Sequence, residues 1–127
     1  MVSLVLLSHS LKLVEGIRDI IGEMAKGIPL FISGGNGTGG LGSDYAQIKD
    51  ILHQAYRPEG TIILYDLGST VMTAEVVMDE LAQDMKSTIK ISKAPLVEGS
   101  VVAAMEISGG APLTDIMEAL TEMELVK

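Results

Sequence analysis

The chain has 127 residues, the length of one ordinary domain, and 47% hydrophobic against 20% charged residues is enough apolar matter for a real core. With 3% aromatics and a net charge of −8 it lacks stacking platforms for single strands and repels nucleic acid and anionic membrane, so a protein partner with a basic face suits it better. It has no cysteine, which excludes disulfides, thiolate catalysis and cysteine-ligated metals and fits a reducing compartment.

The first element is the aliphatic run Val2–Leu7. It has no basic leader and is too short for a signal peptide or a membrane span, so it predicts a buried strand in a cytoplasmic protein. Leu11–Lys26 follows, with Leu13, Val14, Ile17, Ile20, Ile21 and Met24 at helical spacing. Pro29–Ser33 predicts the second strand, and Tyr45–Ala55 a helix with Ile48, Ile51, Leu52 and Ala55 on one stripe. Thr61–Tyr65 is the third strand. Val71–Met85 repeats the helical pattern through Val76, Val77, Leu81 and Met85. Thr88–Ser92 is the fourth strand, followed by a helix over roughly Leu96–Ile107 and the breaker Ser108-Gly109-Gly110-Ala111-Pro112. A last helix spans about Leu113–Leu125, capped by Thr114 or the preceding loop. The alternation specifies an α/β domain over residues 1–127, with a mainly parallel sheet and right-handed crossovers. Neither a repeat nor a linker divides it.

Ligands of open parallel sheets bind beyond the carboxyl ends of the strands. There the chain places Ser8-His9-Ser10 after strand one and Asp66-Leu67-Gly68-Ser69-Thr70 after strand three. A carboxylate that accepts Nδ1–H from His9 leaves Nε2 free to attack phosphorus and stabilises the charge that builds on the ring. The plainer alternative makes His9 a locally bonded strand-end residue and Asp66 a helix cap. Both falling on the functional edge favours the chemical reading. Gly68-Ser69-Thr70 opens a helix, whose N-terminus favours an anion by roughly 0.3–2 kcal/mol. The expected cradle comprises the amides near His9–Leu11 and Gly68–Thr70, with the hydroxyls of Ser10 and Ser69.

Gly35-Asn36-Gly37-Thr38-Gly39-Gly40 formally matches G-x-G-x-x-G. It follows the second strand, does not open a helix directly, and lacks an acidic residue about 20 positions on, so it is neither a dinucleotide fingerprint nor a Walker A loop. It either lines an anion site with its amides or is simply a flexible loop. His53 reads as a boundary or surface histidine, the methionines as core or interface filler, and Glu118–Glu124 as a solvated helix face. No acidic cluster accompanies Asp66, so neither a metal ion nor another cofactor is expected.

The opening Val2–Ser10, Asp66-Leu67-Gly68-Ser69, and Ala94-Pro95-Leu96-Val97-Glu98-Gly99 resemble the phosphotransfer subunit of phosphoenolpyruvate-dependent dihydroxyacetone kinase, nearly end to end. These subunits are similar in fold to mannose-type IIA domains of the sugar phosphotransferase system. The resemblance implies an open four-stranded sheet ordered 2-1-3-4 with helices on both faces, so that Asp66 follows the strand beside that of His9. It implies a homodimer in which His9 takes a phosphoryl group from the phosphocarrier HPr. His9 then passes it to ADP on the kinase's ADP-binding subunit, with the dihydroxyacetone-binding subunit downstream. Leu41-Gly42-Ser43-Asp44 resembles the segment before the second helix, where a Gly-Thr pair is more usual, and Gly34–Gly40 departs from the family pattern. The rival reading is a mannose-type sugar IIA domain that passes phosphate to a IIB protein. A flavodoxin-like nucleotide module would need a phosphate loop after strand one and aromatics to flank a ring, and the chain has one Phe and no Trp. A non-catalytic interaction domain, with His9 and Asp66 structural, is the third possibility.

Overall fold

The computed structural model describes residues 1–124. Its elements run β1 (Ser3–Ser8), α1 (Leu11–Met24), β2 (Leu30–Gly34), α2 (Tyr45–Ala55), β3 (Thr61–Tyr65), α3 (Gly68–Asp79), α4 (Gln83–Lys86), β4 (Ile89–Ile91), α5 (Leu96–Ser108) and α6 (Leu113–Thr121). The four strands form one parallel sheet in the order β2-β1-β3-β4, as the family resemblance implied. No helix among the described residues is long and apolar enough to cross a membrane.

Period-two alternation splits the strands between two cores. Leu4, Leu6, Ile62 and Leu64 pack beneath α1, α5 and α6, together with Val14, Ile17, Ile21, Ala103, Ile107, Ile116 and Leu120. Val5, Leu7, Ile63 and Tyr65 face the other way, against Ile48 and Leu52 of α2 and Ala74 and Val77 of α3. Burial on both faces explains why β1 and β3 read as nearly unbroken apolar runs.

Several boundaries and buried faces differ from expectation. The third predicted helix is two: α3 ends at Asp79, and Ala82 is extended before the short α4. Val76, expected on the buried stripe, is exposed, whereas Leu81 packs partly against the core. The last helix stops at Thr121, and Leu125 lies outside the described residues. Its N-cap is Pro112, so of the two expected caps it is the preceding loop, and no side chain caps it. In α1 only Val14, Ile17 and Ile21 of the apolar series are buried; Leu13, Ile20 and Met24 face solvent.

One glycine allows β2 and α1 to approach closely. A Cβ on Gly34, the last residue of β2, would lie 2.6 Å from Leu11 Cα and 2.7 Å from Leu11 N. The end of β2 therefore passes directly under the first turn of α1, with no room for a methyl group. Gly34→Ala is expected to lower stability by about 1–3 kcal/mol, because the obstacle is backbone and cannot rotate away. Thermal unfolding compared with Gly22→Ala, where an added Cβ meets nothing within 4 Å, measures it. A Gly34→Ala chain as stable as wild type would contradict the close approach.

Candidate functional site

Because β1 and β3 are neighbours in register, their carboxyl ends bring His9 and Asp66 together. The Asp66 carboxylate collects donors from both. Oδ2 accepts from the Ser8 hydroxyl at 2.7 Å and the His9 backbone N–H at 3.0 Å; Oδ1 accepts from the Leu67 N–H at 2.7 Å and the Thr70 hydroxyl at 3.1 Å. Burial alone would raise this carboxyl. Hydrogen bonds from Ser8, from the backbone of His9 and Leu67 and from the His9 ring outweigh it and hold the group below its ordinary value. Asp66 is therefore an anion at neutral pH.

The His9 ring lies across the first turn of α3. Its Nδ1 is 3.4 Å from Asp66 Oδ1 but only 2.6 Å from Thr70 Oγ1, and its Nε2 is 2.6 Å from Ser69 Oγ. The expected direct hold of Asp66 on Nδ1 is thus the longer of two contacts. Thr70, expected in the phosphate cradle, is buried, with its hydroxyl committed to Nδ1 and Asp66. Ser69 is exposed, and its hydroxyl meets the outer nitrogen.

The remaining expected residues surround this ring. Ser10 is the N-cap of α1, its hydroxyl accepting from Leu13 N at 3.4 Å, and Leu11 is the first helical residue. Gly68 opens α3 beside Leu67, an N-cap with no side-chain hydrogen bond. The first N–H groups of a helix have no intrahelical partner, so both helices present donors to this edge. Ser8 was missed as a member of the site. Buried at the end of β1, it donates to Asp66 and accepts from the Ser10 N–H at 2.9 Å. The signal was a hydroxyl closing an otherwise aliphatic strand.

The glycine-rich segment is folded around one side chain. Asn36 Oδ1 accepts from Thr38 N, Thr38 Oγ1 and Gly40 N at 2.8–3.1 Å, while Gly35, Gly37, Gly39 and Gly42 take positive φ. The Gly42 N–H donates to the His9 carbonyl at 3.1 Å, tying the loop to the site. Between this loop and the first turn of α1 runs a cleft of about 490 Å³, with Ser10, Leu11 and Lys12 on one wall and Gly37, Gly39 and Leu41 on the other. Asp44, just beyond the loop, caps α2 through Gln47 N at 3.1 Å. His53 is exposed on α2, its Nδ1 2.9 Å from the Lys49 carbonyl, away from these groups. Among the described residues no group of three or more His, Asp or Glu is arranged to hold a metal ion.

Comparison with known proteins places this geometry in context. The family model EIIA-man, described as the PTS system fructose IIA component, matches residues 3–117. The chain is 34% identical over 124 residues to the phosphoryl donor subunit DhaM of PEP-dependent dihydroxyacetone kinase 2 from Listeria innocua, covering 97% of this chain and 99% of that one. It is 27% identical to the phosphotransferase subunit DhaM of the PTS-dependent dihydroxyacetone kinase of Lactococcus lactis, covering 98% and 97%. The DhaM subunit of Escherichia coli is 26% identical over 92% of this chain, which spans only 26% of that longer protein. A crystal structure of a protein of unknown function superposes with a TM-score of 0.81 at 32% identity, covering 98% of this chain and 96% of the other.

Proposed function

The chain belongs to the EIIA-man family, and on that premise we propose that it is a phosphohistidine carrier, the phosphoryl donor subunit of a dihydroxyacetone kinase. His9 accepts the phosphoryl group from phospho-HPr and passes it to ADP on the kinase's ADP-binding subunit, whose ATP serves dihydroxyacetone on a third subunit. The carrier works in the cytoplasm as a homodimer.

The observation that carries this reading is the polarity of the His9 ring: Nδ1 is turned inward to Thr70 and Asp66, and Nε2 outward to the exposed Ser69. As the P–N bond of phospho-HPr breaks, a P–N bond forms at Nε2, and the proton on Nδ1 stays. The donor phosphohistidine reacts with its second ring nitrogen protonated, so its histidine leaves as neutral imidazole, the positive charge passes to the His9 ring, and no net proton moves. In the second half, an oxygen of the ADP terminal phosphate attacks the same phosphorus and Nε2 leaves. Phosphoryl transfer depends chiefly on positioning and charge stabilisation. Amides of Leu11, Gly68 and Ser69 and the Ser69 and Ser10 hydroxyls supply donors for the phosphoryl oxygens.

The family description as a fructose component favours one rival acceptor, a IIB protein of a sugar system. Purified phospho-carrier mixed separately with the ADP-loaded kinase subunit and with a IIB protein distinguishes the two. Rapid loss of label to form ATP is expected in the first mixture and retention in the second; the reverse pattern would assign the chain to sugar uptake.

A further inference from the structure

Thr70 Oγ1 lies between two groups that are poorly placed for each other. It is 2.6 Å from His9 Nδ1 and 3.1 Å from Asp66 Oδ1, which are themselves 3.4 Å apart. An N–H···O bond is usually 2.7–3.2 Å long and weakens beyond that range, so the direct contact is the weakest side of this triangle. The residue is buried, 1% exposed, so water does not compete for the hydroxyl.

Proton counting then fixes the direction of the chain. A threonine hydroxyl has one proton and two acceptor lone pairs, and an ionised carboxylate only accepts. Asp66 Oδ1 must therefore receive the Thr70 proton. That leaves a Thr70 lone pair facing Nδ1, and the imidazole proton must sit on Nδ1 to meet it. Nε2 is then the bare nitrogen, and the Ser69 hydroxyl donates to it. We infer that Thr70 is a positioning residue that relays Asp66 to His9 through the chain Nδ1–H to Thr70 to Asp66, so that the tautomer with a free Nε2 is set by the hydroxyl more than by direct contact with the carboxylate. For its kinetic consequence this rests on the phosphocarrier reading; for the tautomer it does not.

The relay also accounts for the burial of Thr70. When the ring gains positive charge during transfer, Nδ1–H becomes a stronger donor, and the hydroxyl, already polarised by Asp66, is fixed to accept it without reorganising.

Thr70→Val removes the hydroxyl and keeps the branched shape; Thr70→Ser keeps the hydroxyl. Imidazole ¹⁵N spectra of the unphosphorylated protein, recorded where the ring is neutral, report the tautomer. The expected result is Nδ1–H in wild type and Thr70→Ser, and a mixture in Thr70→Val. Single-turnover labelling by phospho-HPr should fall about five- to tenfold in Thr70→Val, the scale of one hydrogen bond, and recover in Thr70→Ser. A folded Thr70→Val chain with the wild-type tautomer would overturn the relay and leave Thr70 a packing residue. If Thr70→Val does not fold, the contrast between Thr70→Ala and Thr70→Ser isolates the hydroxyl in the same spectra. A wild-type chain that takes no phosphate would refute the phosphocarrier reading, while the spectra would still decide the relay.

Discussion

His9→Ala is expected to acquire no phosphate from phosphoenolpyruvate, the general phosphotransferase enzymes and HPr, whereas His53→Ala is expected to be labelled like the wild-type chain. These are the chain's two histidines, and their surroundings differ in kind. His53 stands on a solvated helix, in its last turn, with Nδ1 against the carbonyl of Lys49 in that helix. His9 has one nitrogen directed to Thr70 and Asp66, the other to the hydroxyl of the exposed Ser69, and the first turns of α1 and α3 on either side. Nucleophilic catalysis requires the attacking nitrogen to be unprotonated and reachable, and only the second environment provides this. The label should be acid-labile and base-stable, as expected of a phosphoramidate. Measured by retention of radiolabel after gel filtration, the loss in His9→Ala should be complete. Labelled His9→Ala protein would show that another group takes the phosphate.

Much of this arrangement was legible because the fold forces it. Four aliphatic runs separated by helical patterns leave few topologies, and a parallel sheet sends whatever follows each strand to one edge. His9 and Asp66 each follow a strand directly and so fall on that edge; that their two strands are neighbours was implied by the family resemblance. What was hidden lies at finer scale. The division of α3 from α4 has no Gly or Pro at positions 80–82 to mark it, and Leu81 and Met85 continue the apolar rhythm across the break. The role of Thr70 depends on a few tenths of an ångström among three atoms, which no spacing rule resolves. Counting hydroxyls near a helix N-terminus suggests a phosphate cradle; only the burial of Thr70 separates it from its exposed neighbour Ser69. Asn36 likewise turns a run of glycines that reads as pliable into a loop with three hydrogen bonds on one oxygen.

Asp66→Asn is expected to slow single-turnover transfer from phospho-HPr by on the order of 10²–10³, less than the roughly 10⁴ lost on the comparable change in serine-protease triads, because phosphoryl transfer leans more on positioning and charge. The loss comes from two causes with one origin. Every neighbour of the Asp66 carboxylate is a donor, with a backbone N–H on each oxygen: His9 N on Oδ2 and Leu67 N on Oδ1. An asparagine amide must place its NH₂ against one of them, whichever way it is turned. If the NH₂ takes the Oδ1 side, it donates to Thr70 Oγ1, and the threonine proton turns toward His9 Nδ1. The imidazole proton is then driven to Nε2, the nitrogen that has to attack. If it takes the Oδ2 side, the His9 and Ser8 donors lose their acceptor, and the strand end that carries the histidine shifts. Either arrangement also removes the negative charge that stabilises the ring once it carries phosphate. An unsatisfied donor costs about 1–3 kcal/mol of stability, so the rate is measured on protein checked by circular dichroism well below its unfolding temperature. Imidazole ¹⁵N spectra of the same variant should move toward the Nε2–H form. A folded Asp66→Asn chain that transfers within about threefold of wild type would reduce Asp66 to a cap on the turn into α3.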